Sequence, residues 1–388
     1  MTVELIRPGA HRAAPVLKPL VSRDCGPEGC EIDWLASRRH EAELDIESFT
    51  RFAGEQGWGD GLPLVPPTDA RVRTFLSLND RYPDEVIGAL PGGVSCTVEK
   101  IVINAVMAGA PPESLELLIA MVASIADPDF ELYGVNATTA PVYPAFVVNG
   151  PVRHQLDIPM SYGCLGGVPG ISASTGRAIR LIMRNVAGQT TGGTSQTTFG
   201  SPGRIAGVVT GEWEEKSPWA PLGERRGVPG NAVTSFGTMG TMNVIDTTSH
   251  SARDFLEMVG KSYAYVGCNN FSGAVPFGEA LIALNPICAE IVGREMPDIA
   301  DVQEVLWKFA SVDADYLNKQ HRDQLEGQDR IRADGRVYAA PEPKDMLVFV
   351  AGGLGGLHAA CFHTFGTSLS QTKPVASVTV AEHAQAAE

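Results

Sequence analysis

The chain carries little charge. Asp, Glu, Lys and Arg make up 19% of its 388 residues, and 30 basic against 45 acidic side chains leave a formal charge of −15. No basic face is evident, which argues against nucleic acid as a partner. Long hydrophobic runs are also missing. The most apolar region, Ile101 to Ala126, is broken by Pro111, Pro112, Glu113 and Glu116. It falls short of the ~18 apolar residues a membrane span needs, so no membrane is expected as a partner. The N-terminal residues lack an apolar h-region, so no secretory signal is expected. There is no Walker motif, no G-x-G-x-x-G, no H-E-x-x-H, no G-x-S-x-G and no C-x-x-C. No repeat of 20–50 residues is visible. Cysteines number seven, odd and scattered, which points to free thiols in a reducing cytoplasm.

What is present is apolar residues (44%), 42 glycines and 27 prolines. That composition can bury a real core and predicts many tight loops. The length allows two to three domains or one large one. Low charge density suits a large domain or a homo-oligomer.

The stretch from Gly134 to Gly203 organises the reading. Pro144–Val148 has strand composition, stopped by Asn149, Gly150 and Pro151. Ile179, Ile182, Met183 and Val186 recur at helical spacing, which predicts a helix over Ser172–Ala187 with Arg177, Arg180 and Arg184 on its other faces. Ser172, Ser174 or Thr175 can cap it, and Gly188 ends it. Cys164 therefore sits in a Gly-rich loop shortly before a helix N-terminus, where unpaired N–H groups can stabilise a thiolate or a bound anion. Gly163, Gly166, Gly167 and Gly170 let backbone approach a ligand. The competing reading is a small buried residue in a turn.

The rest of the chain follows in order. Cys25 and Cys30 form a C-x4-C pair that suits a metal, a redox disulfide or an ordinary exposed arm. Asp45 and Thr68 are caps for helices at 46–56 and 69–78. Leu62–Val65 reads as an edge strand or extended loop. Thr97–Ala108 and Glu113–Ile125 read as a helical hairpin. Cys96, Glu99 and Lys100 either line a site or form an ordinary first turn. Arg204–Thr210 reads as a strand, and so does Val244–Asp246. Ser249 can cap a helix from Ser251, which puts His250 in its first turn, as a structural residue or a general acid–base. Ala280–Leu284 is a strand, followed by helices at 286–292, 299–310 and 314–325.

Met346–Ala351 is a strand of the buried type, running into glycines 352, 353, 355 and 356. A strand entering a Gly-rich loop is a common way to present N–H groups to a ligand. His358, Cys361 and His363 follow. A helix would put His358 and Cys361 on one face, and a strand would pair Cys361 with His363. A transition metal at Cys361 and His363 is one reading, although no motif requires any cofactor.

Trp58–Thr68, Thr97–Gly109 and Tyr162–Cys164 resemble segments of the poorly characterised proteins grouped with a selenocysteine- or cysteine-containing U-G-S-C motif. The similarity runs over about residues 57–210 and again around Leu347–Gly356. The motif domain itself is absent here. The resemblance implies thiol or selenol chemistry and names no substrate.

The expected fold is α/β: a mixed sheet with flanking helices, a helical subdomain, and Gly-rich loops after strands. The expected organisation is a polar arm (1–40), a helical subdomain (41–130), a sheet domain (131–370) and a flexible tail (371–388). The expected function is a small-molecule enzyme using a cysteine thiolate, first a lyase-type cleavage of a small anionic substrate. Alternatives are a thiol oxidoreductase, a metal enzyme with Cys/His ligands, and a non-catalytic subunit. Cys164 is the expected nucleophile, with Glu99, His250 or His358 moving protons. Asn136, Thr138, Thr139, Gly166, Gly167 and Gly353 are expected to contact substrate, and the loops at 163–170, 188–203 and 352–356 to supply N–H groups.

Overall fold

The computed structural model describes residues 35–78, 81–276 and 278–378, and the backbone of 2–6. Its centre is a mixed seven-stranded sheet. The strands are β1 (Tyr143–Asn149), β2 (Val208–Gly211), β3 (Ala232–Ile245), β4 (Ala280–Leu284), β5 (Met346–Val350), β6 (His358–Thr364) and β7 (Gln371–Pro374). Spatial order is β5-β4-β6-β3-β1-β2, with β7 also paired to β3. Two pairs are parallel, β5 with β4 and β1 with β2; the other pairs are antiparallel. The fold is α/β.

The sheet curls until its two edges approach. Just past β2, the Trp213 N–H donates to the Val350 carbonyl of β5 at 2.6 Å. Alternation along the strands then assigns each side chain to the inside or the outside of the curl. Ala145, Val147, Phe236, Leu281, Phe349 and Phe362 pack together in the interior. Phe146, Val148 and Val233 face one outer layer, where α1 (Val98–Ala108), α2 (Leu115–Ile125) and α3 (Ser172–Asn185) cover them. Ile282, Val348 and Cys361 face the other, covered by α4 (Ala252–Tyr263), α5 (Pro286–Glu295) and α6 (Ile299–Phe309). Strands buried on both faces read as continuous apolar runs, which is why 144–148 and 346–350 stood out in the sequence. The helices of 41–130 share one core with Phe146, Ile179 and Val233, so they add a layer to the sheet.

Local chemistry explains the helix starts. Asp45, Thr68 and Thr97 each accept a backbone N–H three residues on. No side chain caps α3: its N-cap is Ile171, whose carbonyl instead accepts from Ser174 and Thr175. The strand expected at 204–210 begins only at Val208. Gly203–Ala206 is a helical turn, and Gly207, at φ 61, breaks it. Val244 and Ile245 are the end of the much longer β3, and Asp246 follows it. The helix expected at 314–325 is a short strand (Ser311–Asp313), a single turn, then a helix at Lys319–Glu326 capped by Asn318. Residues 371–374, read as part of a tail, form β7 against β3. Cys25 and Cys30 lie outside the described residues. No helix among those described is long and apolar enough to cross a membrane.

Candidate functional site

The parallel strands β4 and β5 end side by side, and their carboxyl ends open on a cavity of about 560 Å³. Such ends collect ligands because the loops leaving them splay apart and expose backbone polar groups. Asn285 follows β4, and Ala351, Gly352 and Gly353 follow β5. The opposite wall is the loop Tyr162–Gly166 with Cys164. The start of β6 contributes His358, and β3 contributes Asn243. Two Gly-rich loops nearly 190 residues apart in sequence thus face one space.

Cys164 is 6% exposed and packs beside the interior cluster of the curl. Burial pushes its thiol above the ordinary value, and the Thr210 hydroxyl and Gly352 N–H, which face the sulfur, oppose that shift. Neither group belongs to α3. The thiolate support expected from a helix N-terminus is therefore supplied by a strand hydroxyl and a loop N–H, and burial outweighs both. Thr210 itself donates to Pro159 O at 3.1 Å, and Gly352 N–H to Met160 O at 2.9 Å, so both are held in place.

His358 is exposed, and its Nδ1 lies 3.1 Å from Asn243 Nδ2. With the amide donating, the ring proton sits on Nε2. Asn285 caps α5 through Cys288 N at 3.0 Å, and its amide donates to the His358 carbonyl. One residue thereby ties the end of β4 to the start of β6. The loop between β5 and β6 turns on Gly352 (φ 103) and Gly356 (φ 64), and it holds Leu357 at φ 62, unusual for a bulky residue. Gly353 is required by proximity: a Cβ there would lie 2.2 Å from the Tyr162 ring. Gly353→Ala is expected to drive Tyr162 outward and weaken ligand binding in the cavity, with little loss of stability because Tyr162 is already 64% exposed. Comparing ligand affinity and melting temperature of the variant checks both halves.

No family model matches the chain, and no curated protein matches it.

Of the residues expected to act in catalysis, substrate contact or metal binding, Cys164, Gly166, Gly353 and His358 line this cavity together with Gly163, Gly352, Gly355 and Gly356 of the two loops, and Gly167 adjoins it. The others do not line it. Glu99 is 4% exposed at the start of α1, where it accepts from Ala36 N at 3.2 Å and Ser37 N at 3.1 Å. It anchors the incoming chain. Asn136 donates to Ala187 O at 3.3 Å, Thr138 caps Ala140 N at 3.1 Å, and the Thr139 carbonyl accepts from Thr198 N at 2.9 Å. Asn136 and Thr139 brace the 188–203 loop, which is likewise away from the cavity, and Thr138 closes its own turn. His250 is exposed in the turn before α4, whose cap is Ser251.

Cys361 and His363 lie on β6, so the extended alternative applies and His358 projects from the opposite face. Burial pushes the Cys361 thiol up to about 12. Burial also lowers His363, whose Nε2 lies 3.2 Å from Tyr263 O and whose ring packs on Tyr263 and Tyr265. Among the described residues no three His, Cys, Asp or Glu side chains are grouped to hold a metal. Thr210, Asn243 and Asn285 were missed in the sequence. Asn285–Pro286 looked like a strand stop, although Asn before Pro is also a helix-start signal.

Proposed function

We propose that the chain is a cysteine-dependent enzyme acting on a small molecule in the cavity at the ends of β4 and β5. Cys164 is the nucleophile, and His358 takes and returns the proton once the Asn243 amide turns over, so that its Oδ1 accepts Nδ1–H and Nε2 is left free as the base. The Thr210 hydroxyl, which rests on the Pro159 carbonyl, would turn its one proton to the sulfur as negative charge forms there, and the Gly352 N–H would share its bond to Met160 O with it. Lyase-type bond cleavage is the first reaction class to assay. The observation that carries this reading is the placement of one thiol on the wall of a cavity whose other polar side chains are a histidine, two amides and the Tyr162 phenol. Among the described residues no Lys, Arg, Asp or Glu lines that cavity, so backbone N–H groups and the Asn amides would hold the polar end of a substrate with an otherwise apolar body.

Alkylation by iodoacetamide, mapped residue by residue, tests the site. A thiol held protonated by burial reacts slowly at neutral pH and faster as pH rises through and beyond the ordinary thiol range of about 8.5. Cys164 should show that rise, and a bound substrate should suppress labelling at 164 while leaving Cys288 unaffected. A Cys164 that never labels in the folded protein, or labels equally with every substrate candidate present, would remove it from the chemistry.

A further inference from the structure

Helix α3 carries three arginines, and the fold treats them differently. Arg177 forms a two-point pair with Asp60, at 2.7 and 2.8 Å. Arg184 donates to the Gly57 carbonyl at 3.0 Å. Arg180 is only 8% exposed and finds neutral acceptors alone: the Arg204 carbonyl at 2.9 Å, Gln189 Oε1 at 2.5 Å and the Met183 sulfur at 2.9 Å. The second guanidinium, Arg204, donates through Nη2 to the buried Ser195 hydroxyl at 3.0 Å. Its Nη1 is buried without a partner, and so is the hydroxyl of Ser201, one turn earlier. Among the described residues no carboxylate pairs with Arg180 or Arg204.

Two neighbouring guanidinium groups, largely withdrawn from water and without a counter-charge, are unfavourable. Burial first, then the charges of Arg204 and Arg184, push Arg180 down to about 9. Burial lowers Arg204 too. An oxyanion would reverse each cost at once. It supplies the missing negative charge, acceptors for the idle Nη1 and hydroxyl, and a geometry that guanidinium forks match. The cover over these groups is the loop 188–203, rich in Gly, Thr and Ser, with Thr191–Thr194 exposed and Phe199 98% exposed.

We propose that Arg180 and Arg204, with Ser195 and Ser201, form a binding site for a phosphate-type oxyanion that is distinct from the Cys164 cavity. Arg204 precedes β2, whereas Thr210, near the other end of that strand, is the residue that faces Cys164. The loop expected from the sequence to serve Cys164 thus has its own ligand.

Thermal melting of the full chain with inorganic phosphate tests this, with sodium chloride at matched ionic strength as the control and glycerol 3-phosphate as a second arm. Phosphate should raise the melting temperature saturably, and chloride should not. Arg204→Gln should lose that rise, and its own melting temperature in phosphate-free buffer should be no lower, because one of two like charges is gone. Arg204→Lys should weaken phosphate by roughly tenfold, since charge is kept and the fork is lost. A larger effect of glycerol 3-phosphate at equal concentration assigns the site to a phosphomonoester; a larger effect of phosphate assigns it to the free ion. A phosphate effect no greater than that of chloride, or one undiminished in Arg204→Gln, overturns the proposal. If Arg204→Gln does not fold, Ser201→Ala must weaken the phosphate effect, and an unchanged effect there overturns it equally.

Discussion

Cys164→Ala is expected to abolish turnover, by on the order of 10³-fold or more, while the folded protein survives. The sulfur contributes little to stability. It touches the rim of the interior cluster and a cavity, so its loss should cost about 1 kcal/mol. Under the proposed mechanism turnover, by contrast, passes through it. No other cysteine lines the cavity among the described residues, so no second thiol can substitute. Cys164→Ser separates two roles. The hydroxyl keeps the shape and the contacts to Thr210 and Gly352 but is a far weaker nucleophile at neutral pH. Steady-state kinetics on Ala and Ser variants that both remain inactive, with melting temperatures near that of the wild type, would meet the expectation. An active Ala variant would end the thiol mechanism and leave the cavity as a binding site only.

Arg153→Ala should be the most damaging single change to stability outside the apolar core. Arg153 is 2% exposed and spends every donor: Nε on Gly150 O at 2.9 Å, Nη1 on the Glu212 carbonyl at 2.5 Å, and Nη2 on Glu214 at 2.9 Å and Glu215 at 3.0 Å. Removing the guanidinium strips the buried Glu212 carbonyl and Glu214 Oε2 of the donor that holds them and takes the positive charge away from Glu214 and Glu215, a loss of about 3 kcal/mol. The effect should reach the cavity. Arg153 Nη1 also lies 3.4 Å from the Met160 sulfur, and the Met160 carbonyl holds the Gly352 N–H that faces Cys164. Chemical denaturation measures the first consequence and alkylation of Cys164 the second.

The same network has an acid limb. Burial alone would raise Glu215, but hydrogen bonds from Arg153 and His154 outweigh it and hold the carboxyl at about 2. A carboxyl depressed on folding stabilises the protein above its ordinary range, and that contribution is lost as pH falls from about 4.5 towards 2. The wild-type chain should therefore lose stability over that window, and Arg153→Ala should lose less of it. Glu212, at the end of β2, has the opposite sign. It is fully buried, and burial raises its carboxyl despite the Leu222 N–H and the Asn149 amide. Its contribution is present at low pH and fades as pH rises through the elevated value.

Much of the architecture was legible one element at a time. Caps at Asp45 and Thr68, the break at Asn149, and the apolar runs of β1, β4 and β5 depend on side chains within a few residues of each other, and linear sequence records such neighbours directly. The loop chemistry around Cys164 and the glycines after β5 was visible for the same reason. What could not be read was which loops meet. Asn136, Thr138 and Thr139 are closer to Cys164 in sequence than Gly352 is, yet the curl of the sheet brings β5 against the end of β2 and leaves the 188–203 loop elsewhere. Arg204–Ala206 had strand-like composition, but Gly203 against the Tyr143 ring and the reversal at Gly207 impose a turn.

The sequence by itself determined most element types, the α/β class and the Gly-rich setting of Cys164. Only tertiary structure decided that this thiol looks into a cavity, that burial keeps it protonated, and that Arg180 is buried opposite Arg204. Short-range propensity acts between residues adjacent in the chain. Burial, electrostatic coupling and cavity shape arise between strands whose pairing is settled by the whole sheet.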